Sequence, residues 1–214
     1  MAQTLKPEVR ERILRATLEA VAERGLAGAT VAAIAARAGV AGGNVYRYFP
    51  NKDELFAAAL PRSLARRHDA LVAASARSLS WVATGDPPGS ADARDALLRF
   101  WIEHRLAVVV LLLHDEGTPY EGYARRFVDH LTALTVREIE AAHPGVRVSA
   151  EARSVLAMIF DSTRRTVAGI LATHADEVEI RRAIAVFRSY QVAGLGGLAA
   201  FVAPPPARAR RPRA

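Results

Sequence analysis

Cysteine is absent from this 214-residue chain. That excludes a disulfide framework and thiolate chemistry, and it fits a reducing compartment. Long apolar runs are missing too. The longest, Leu106–Leu113 and Val192–Pro206, fall short of the roughly 20 residues needed to cross a bilayer. Residues 1–24 are charged and amphipathic with no apolar h-region, so they read as a helix and not as a leader. A soluble, cytoplasmic protein with no membrane partner is expected. Signatures of catalysis are scarce as well. No nucleophile elbow, phosphate-cradling glycine loop or His-x-x-x-His spacing occurs. One dense acid/base cluster stands out, His114-Asp115-Glu116, at an expected helix end before a loop. Neither an enzyme nor a cofactor is expected, with catalysis by a desolvated form of that cluster as the alternative.

What remains is the composition of a folded globular chain, 51% hydrophobic and 24% charged. Its length suits one substantial core, or a small head plus a body. The net charge of +7 is unevenly placed. Residues 1–52 hold eight Lys/Arg against four Asp/Glu, and residues 203–214 hold four Arg and no acid. Between them the chain is close to neutral, with 17 bases and 18 acids. A basic head and tail around a neutral body is the footprint expected of a DNA-binding head, although charge alone equally describes a solvated face and a solvated terminus.

The head contains a helix-turn-helix pattern. Thr30 is placed to cap a helix in which Val31, Ile34, Ala35 and Ala38 share one face. Gly39 supplies the left-handed residue that stops it, and Val40 is expected to drop between helices. A second short helix follows from Ala41 to Phe49, ended by Pro50. Asn51 then caps a further helix, with Glu54 placed to reach back as in a capping box. A helix-turn-helix of this shape sets its second helix in the DNA major groove.

Many of these positions recur at family spacing: Ile13-Leu14, Ala16, Glu23-Arg24-Gly25, Thr30, Ile34-Ala35, Ala38-Gly39-Val40, Gly43, Val45-Tyr46, Tyr48-Phe49, Lys52 and Leu55. Over residues 8–56 the chain resembles the N-terminal domain of tetracycline-repressor (TetR) family transcriptional regulators. The resemblance implies an all-α homodimer, with a three-helix DNA-binding head and a helical body that binds a small effector and dimerises. Ala41 stands where the family usually has a polar cap, and Gly42 where a larger side chain is common.

For DNA contact the candidates are Thr30, Gly42, Gly43, Asn44, Tyr46, Arg47, Tyr48 and Lys52. Gly42 and Gly43 let the backbone lie close to base edges. Asn44 offers the donor and acceptor that suit adenine, and the Arg47 fork matches guanine O6 and N7. Tyr46 and Tyr48 resemble the family's aromatic pair, whose hydroxyls reach backbone phosphates. Lys52, at a helix N-terminus, is by the resemblance another backbone contact, favoured there by the helix dipole. The alternative to sequence-specific binding is a nonspecific architectural DNA protein.

The sequence divides into a head at 1–52, a helical body at 53–202 and a proline- and arginine-rich, disordered tail at 203–214. In the body one helix is expected over 52–80 with a kink at Pro61. A loop at 84–90 follows, then helices over 91–116, 119–142, 149–173 and 176–202. Val108–Leu113 has strand propensity, but its flanks favour helix. One recognition helix reads few base pairs, so a homodimer on a palindromic operator of double-stranded DNA is expected. Its interface is placed on the last helix, at Phe187, Gln191, Gly194, Leu195 and Leu198. Trp101, His104, Tyr123 and Phe127 are candidate liners of a pocket for a small apolar or aromatic effector.

Overall fold

The computed structural model of the protein describes residues 6–76 and 90–202, with the side chains of 76, 90 and 195–202 left aside. Among the described residues there is helix and turn but no strand. The tail at 203–214, most of the 84–90 loop and the side chains of Leu195 and Leu198 lie outside this description.

Helix α1 (Pro7–Gly28) opens on a proline in its first turn and buries Ile13, Ala16, Thr17, Ala20 and Val21, the stripe its periodicity predicts. Gly25, at φ 69° and ψ 172°, breaks the helical path before the last short turn, a geometry that glycine adopts without Cβ strain. Helix α2 (Val31–Ala38) is capped by Thr30, whose hydroxyl accepts from the Ala33 N–H at 3.1 Å. It ends at Gly39 in the left-handed region, whose N–H reaches back to the last turn. Helix α3 (Gly42–Tyr48) follows, and then α4 (Lys52–Ala59), where Asn51 accepts from the Glu54 N–H at 2.8 Å and donates to the Glu54 carboxylate at 3.1 Å.

The long helix expected from residue 52 to 80 is instead two. Leu60 leaves the helical region (φ −129°, ψ 81°) before Pro61, and α5 (Arg62–Ala76) starts afresh. Proline clashes with a helical residue before it, so the chain breaks at this point instead of bending. Residues 91–116 also divide, into α6 (Ser90–Glu103) and α7 (Arg105–Leu113), with His104 non-helical between them. The remaining helices are α8 (Tyr123–Ala142), α9 (Ala150–Thr173, capped by Ser149) and α10 (Glu177–Val202).

Apolar α7 is the axis of the body. Every residue from Ala107 to Leu112 is buried, packed by α9, α8 and α6. Its other neighbour is α1, so the head rests directly on this central helix. Helix α4 also packs on α1, which attaches it physically to the head. Arg164 of α9 is buried within the body. Its guanidinium donates to the Leu112 carbonyl at the end of α7 and to Asp161 at 2.9 and 2.5 Å.

Candidate functional site

Two regions hold the residues singled out by sequence for DNA contact and for a pocket. The first is the outer face of α3. Val45 and Phe49 are buried and fasten the helix to the head, with the Arg10 guanidinium 5.3 Å above the Phe49 ring. That anchoring turns Gly42, Gly43, Tyr46 and Arg47 outward; Tyr46 is 54% exposed. A Cβ built on Gly42 or Gly43 would meet no protein atom within 4 Å. The glycines are therefore not required by internal packing, and they leave a bare backbone strip on the outer surface. Asn44 is half-buried beside them, its N–H bonded to the Ala41 carbonyl at 2.9 Å. Ala41 begins the helix without a side-chain cap.

The two tyrosines do different work. The Tyr48 hydroxyl accepts the Lys6 N–H at 3.0 Å, tying the start of α1 to α3 and leaving one O–H to donate. Lys52 reaches back to the Leu26 carbonyl at 2.5 Å, just past the Gly25 break. An ammonium has three donors, so Lys52 supports the end of α1 and still presents charge at the head of α4. Glu23 pairs with Arg37 at 2.5 Å and with Arg24 at 3.3 Å, holding α2 against α1. Arg37 first, and then Arg24, keep its carboxyl below the usual carboxylate range.

The second region lies in the body around His68, which the sequence reading did not single out. Its ring is fully buried between Phe100 and Phe127, with centroids 5.8 and 6.0 Å away and near-parallel planes. Trp101 Nε1 donates to His68 Nε2 at 3.0 Å. Because indole only donates, that nitrogen must accept, and the ring proton sits on Nδ1. His68 Nδ1 then donates to the Tyr123 hydroxyl at 2.7 Å, and Tyr123 donates to Asp69 Oδ1 at 2.5 Å. The chain of donors thus runs one way, from Trp101 to Asp69. Burial pushes His68 down to about 4, and burial together with Asp69 pushes the Tyr123 phenol up.

Beside this relay is a groove of about 490 Å³, lined by Asp69, Val72, Ala73, Tyr123, Phe127 and His130 among others. Tyr123 and Phe127 are on its wall. Trp101 stands behind it, bonded to His68, and His104 lies edge-on to Phe100 at 4.7 Å. Three of the four candidates, Trp101, Tyr123 and Phe127, therefore meet one buried histidine, and two of these line the groove, while His104 packs on Phe100. The Asp115 carboxylate of the acid/base cluster is largely buried and accepts from the Ala124 N–H at 3.1 Å, in the first turn of α8.

The stripe chosen for dimerisation turns partly inward. Phe187 is half-buried against the core, and Gln191 donates to the Thr163 hydroxyl at 2.6 Å. Gly194 is exposed. The exposed apolar face of the last two helices carries other residues: Val155 (46%) and Met158 (67%) on α9, Val186 (68%) and Tyr190 (74%) on α10. A helix with two apolar faces gives no local sign of which one meets its own body.

Comparison with known proteins agrees with the head and the fold. Residues 13–59 match the family described as bacterial regulatory proteins, tetR family. HTH-type transcriptional regulator BetI of Stenotrophomonas maltophilia (strain R551-3) is 42% identical over 67 residues, covering 31% of this chain and 34% of that protein. HTH-type transcriptional repressor KstR of Rhodococcus jostii (strain RHA1) is 41% identical over 66 residues, 31% of each chain. The chain thus spans about a third of the length of the curated relatives it matches. A TetR-like transcriptional regulator from Rhodococcus sp. RHA1 shares the fold over 94% of this chain and 100% of that one, with a TM-score of 0.55 and 24% identity. The head at residues 13–59 thus matches the tetR family of bacterial regulatory proteins, and the fold around it is one that a TetR-like regulator shares.

Proposed function

We propose that the chain is a ligand-responsive, sequence-specific DNA-binding repressor that acts in the cytoplasm. It binds a palindromic operator as a homodimer and is released by a small apolar or aromatic effector. The observation that carries this reading is the outer face of α3, where bare glycine backbone adjoins Tyr46 and Arg47 on a helix pinned from beneath. The head extends through α4 to the break at Leu60–Pro61, since α4 packs on α1. The body runs from there to residue 202, and the basic tail beyond it adds charge.

Base contacts set sequence and phosphate contacts set affinity and register. Arg47→Ala is expected to cost roughly 1–3 kcal/mol on the preferred site and to relax specificity at one or two base pairs. Lys52→Ala should weaken binding to all sequences and flatten the salt slope by about one. Titration of operator and random duplex across salt concentrations checks both; equal losses for both variants on both duplexes would remove the division of roles.

Dimerisation would follow from the exposed apolar face of α9 and α10, where Met158 and Tyr190 are the most prominent side chains on their helices that face water. A Met158→Asp/Tyr190→Asp double variant is expected to sediment as a monomer at micromolar concentration and to lose most operator affinity. An unchanged dimer in that variant would place the interface elsewhere. A groove of about 490 Å³ suits a small ligand. Its apolar walls at Val72, Ala73 and Phe127 favour an apolar or aromatic one. Release requires that this ligand bind better to a dimer whose recognition helices miss the roughly 34–36 Å half-site spacing.

A further inference from the structure

We propose that Tyr120 is a positioning residue through which the groove beside Tyr123 controls the hinge between head and body. This rests on the reading of that groove as the effector site. Helix α4 belongs to the head by its contact with α1, and α5 belongs to the body, where it carries His68 and Asp69. Between them the helical ladder is interrupted. The Leu64 N–H bonds the Pro61 carbonyl at 3.0 Å, and the Leu60 carbonyl is taken by the Tyr120 hydroxyl at 2.6 Å. The Tyr120 ring also stands 6.3 Å from Phe56 in the last turn of α4. One buried side chain from outside both helices therefore grips the break between them. The Leu60 N–H still closes α4 on the Phe56 carbonyl at 2.9 Å, but the ladder does not continue across Pro61, which has no N–H to give.

Tyr123 lies three residues further on and faces the groove, with its hydroxyl between His68 and Asp69. The segment that joins the two tyrosines is internally bonded. The Thr118 hydroxyl donates to the Asp115 carbonyl at 2.6 Å and accepts from the Tyr120 N–H at 3.0 Å. The Tyr123 N–H donates to the Tyr120 carbonyl at 2.8 Å, and the Asp115 carboxylate accepts from the Ala124 N–H at 3.1 Å. With so many bonds inside ten residues, Tyr120 and Tyr123 move as one body. An effector that takes Asp69 or displaces the Tyr123 phenol shifts this turn, and the shift draws Tyr120 from Leu60. The head, then held on the body chiefly by α1 against α7, can change its angle there. Such a two-ended strap supplies the bistable element that an effector needs in order to act at a distance.

The alternative is two separately satisfied buried tyrosines, and a double-mutant cycle separates the readings. Amide exchange of residues 60–66 is measured by mass spectrometry in the full chain for wild type, Tyr120→Phe, Tyr123→Phe and the double variant. Each substitution removes one oxygen and keeps the ring. Tyr123→Phe, which has no bond to the hinge, is expected to speed exchange there about three- to tenfold, the scale of one hydrogen bond. In the Tyr120→Phe background the same change should add less than about twofold, because the strap is already released at its far end. If Tyr123→Phe folds poorly by circular dichroism, Asp69→Asn weakens the same bond from the exposed side and takes its place. Unchanged hinge exchange in the groove variant, or effects that simply multiply, would overturn the proposal. Exchange is read without DNA, so failure of the strap is distinct from failure of the regulator reading, which wild-type operator binding tests alone.

Discussion

Arg164→Ala is expected to destabilise the protein by about 3 kcal/mol, which for a chain of this length lowers Tm by roughly 6–12 °C. Arg164 is 7% exposed, and its guanidinium closes the C-terminal end of α7 by donating to the Leu112 carbonyl. Carbonyls in the last turn of a helix have no partner within it. Removing the donor leaves that group buried and unpaired and opens a void beside the most apolar helix of the body. The remaining charge costs less than in a fully buried pair. Asp161 is 40% exposed and keeps Arg165 at 2.8 Å, whose hydrogen bond is the main reason its carboxyl stays below the ordinary range. Arg164→Met restores part of the volume and none of the donor, so it should recover less than half of the loss. Calorimetry or thermal unfolding of the three proteins decides it, and a Tm within a degree of wild type for Arg164→Ala would show that the α7 terminus needs no such closure.

His68→Ala should cost about 3–4 kcal/mol, and the histidine also imposes an acid limit on stability. The alanine variant loses two ring stacks and leaves the Trp101 N–H without its acceptor. The acid limit follows from the relay. Trp101 already points a proton at Nε2, so a second proton there would set donor against donor in a buried site. His68 is held at about 4 when folded, against an ordinary value near 6.5. As the pH falls through that window the unfolded chain gains a proton that the folded chain refuses. Stability is therefore complete above about 6.5 and declines toward 4 by at most about 1.4 kcal/mol per unit, some 3 kcal/mol in all. Denaturant midpoints at several pH values between 4 and 7, compared with His68→Phe, isolate this contribution from that of the carboxylates. The phenylalanine variant should show a shallower slope in that window; a parallel profile would mean that His68 takes its proton without cost.

How much was legible follows from where each signal resides. The turns of the head are written in single residues that act locally: Thr30 as cap, Gly39 as left-handed stop, Asn51 with Glu54 as a capping box. The break at Pro61 was visible as a disturbance, but a kink and a full stop share one sequence sign, and contacts from Tyr120 and Phe56 hold the broken form. The break at His104 carries no glycine or proline. The turn there is set by tertiary partners, with Arg105 donating to the Leu171 carbonyl at 3.1 Å and His104 lying against Phe100. His68 sits in a run, Arg66-Arg67-His68-Asp69, that reads as a solvated face. Its signal was the stripe Ala65, His68, Val72, whose helical spacing places it inward, and all three are buried. Helix α10 is a different case. Spacing marks Phe187 and Gln191 as one face, but only assembly shows that this face meets Thr163 and the core while Val186 and Tyr190 look outward.

Selection of the full chain on a random duplex DNA pool at about 150 mM salt decides whether α3 reads bases, because specificity has meaning only at a stated ionic strength. Enrichment of a palindrome whose half-sites lie about one helical turn apart is expected, relaxed at one or two base pairs of each half-site in Arg47→Ala and lost in Met158→Asp/Tyr190→Asp. Retention of DNA with no enriched sequence would contradict it, and would leave the outer face of α3 as a surface that grips phosphates without reading bases.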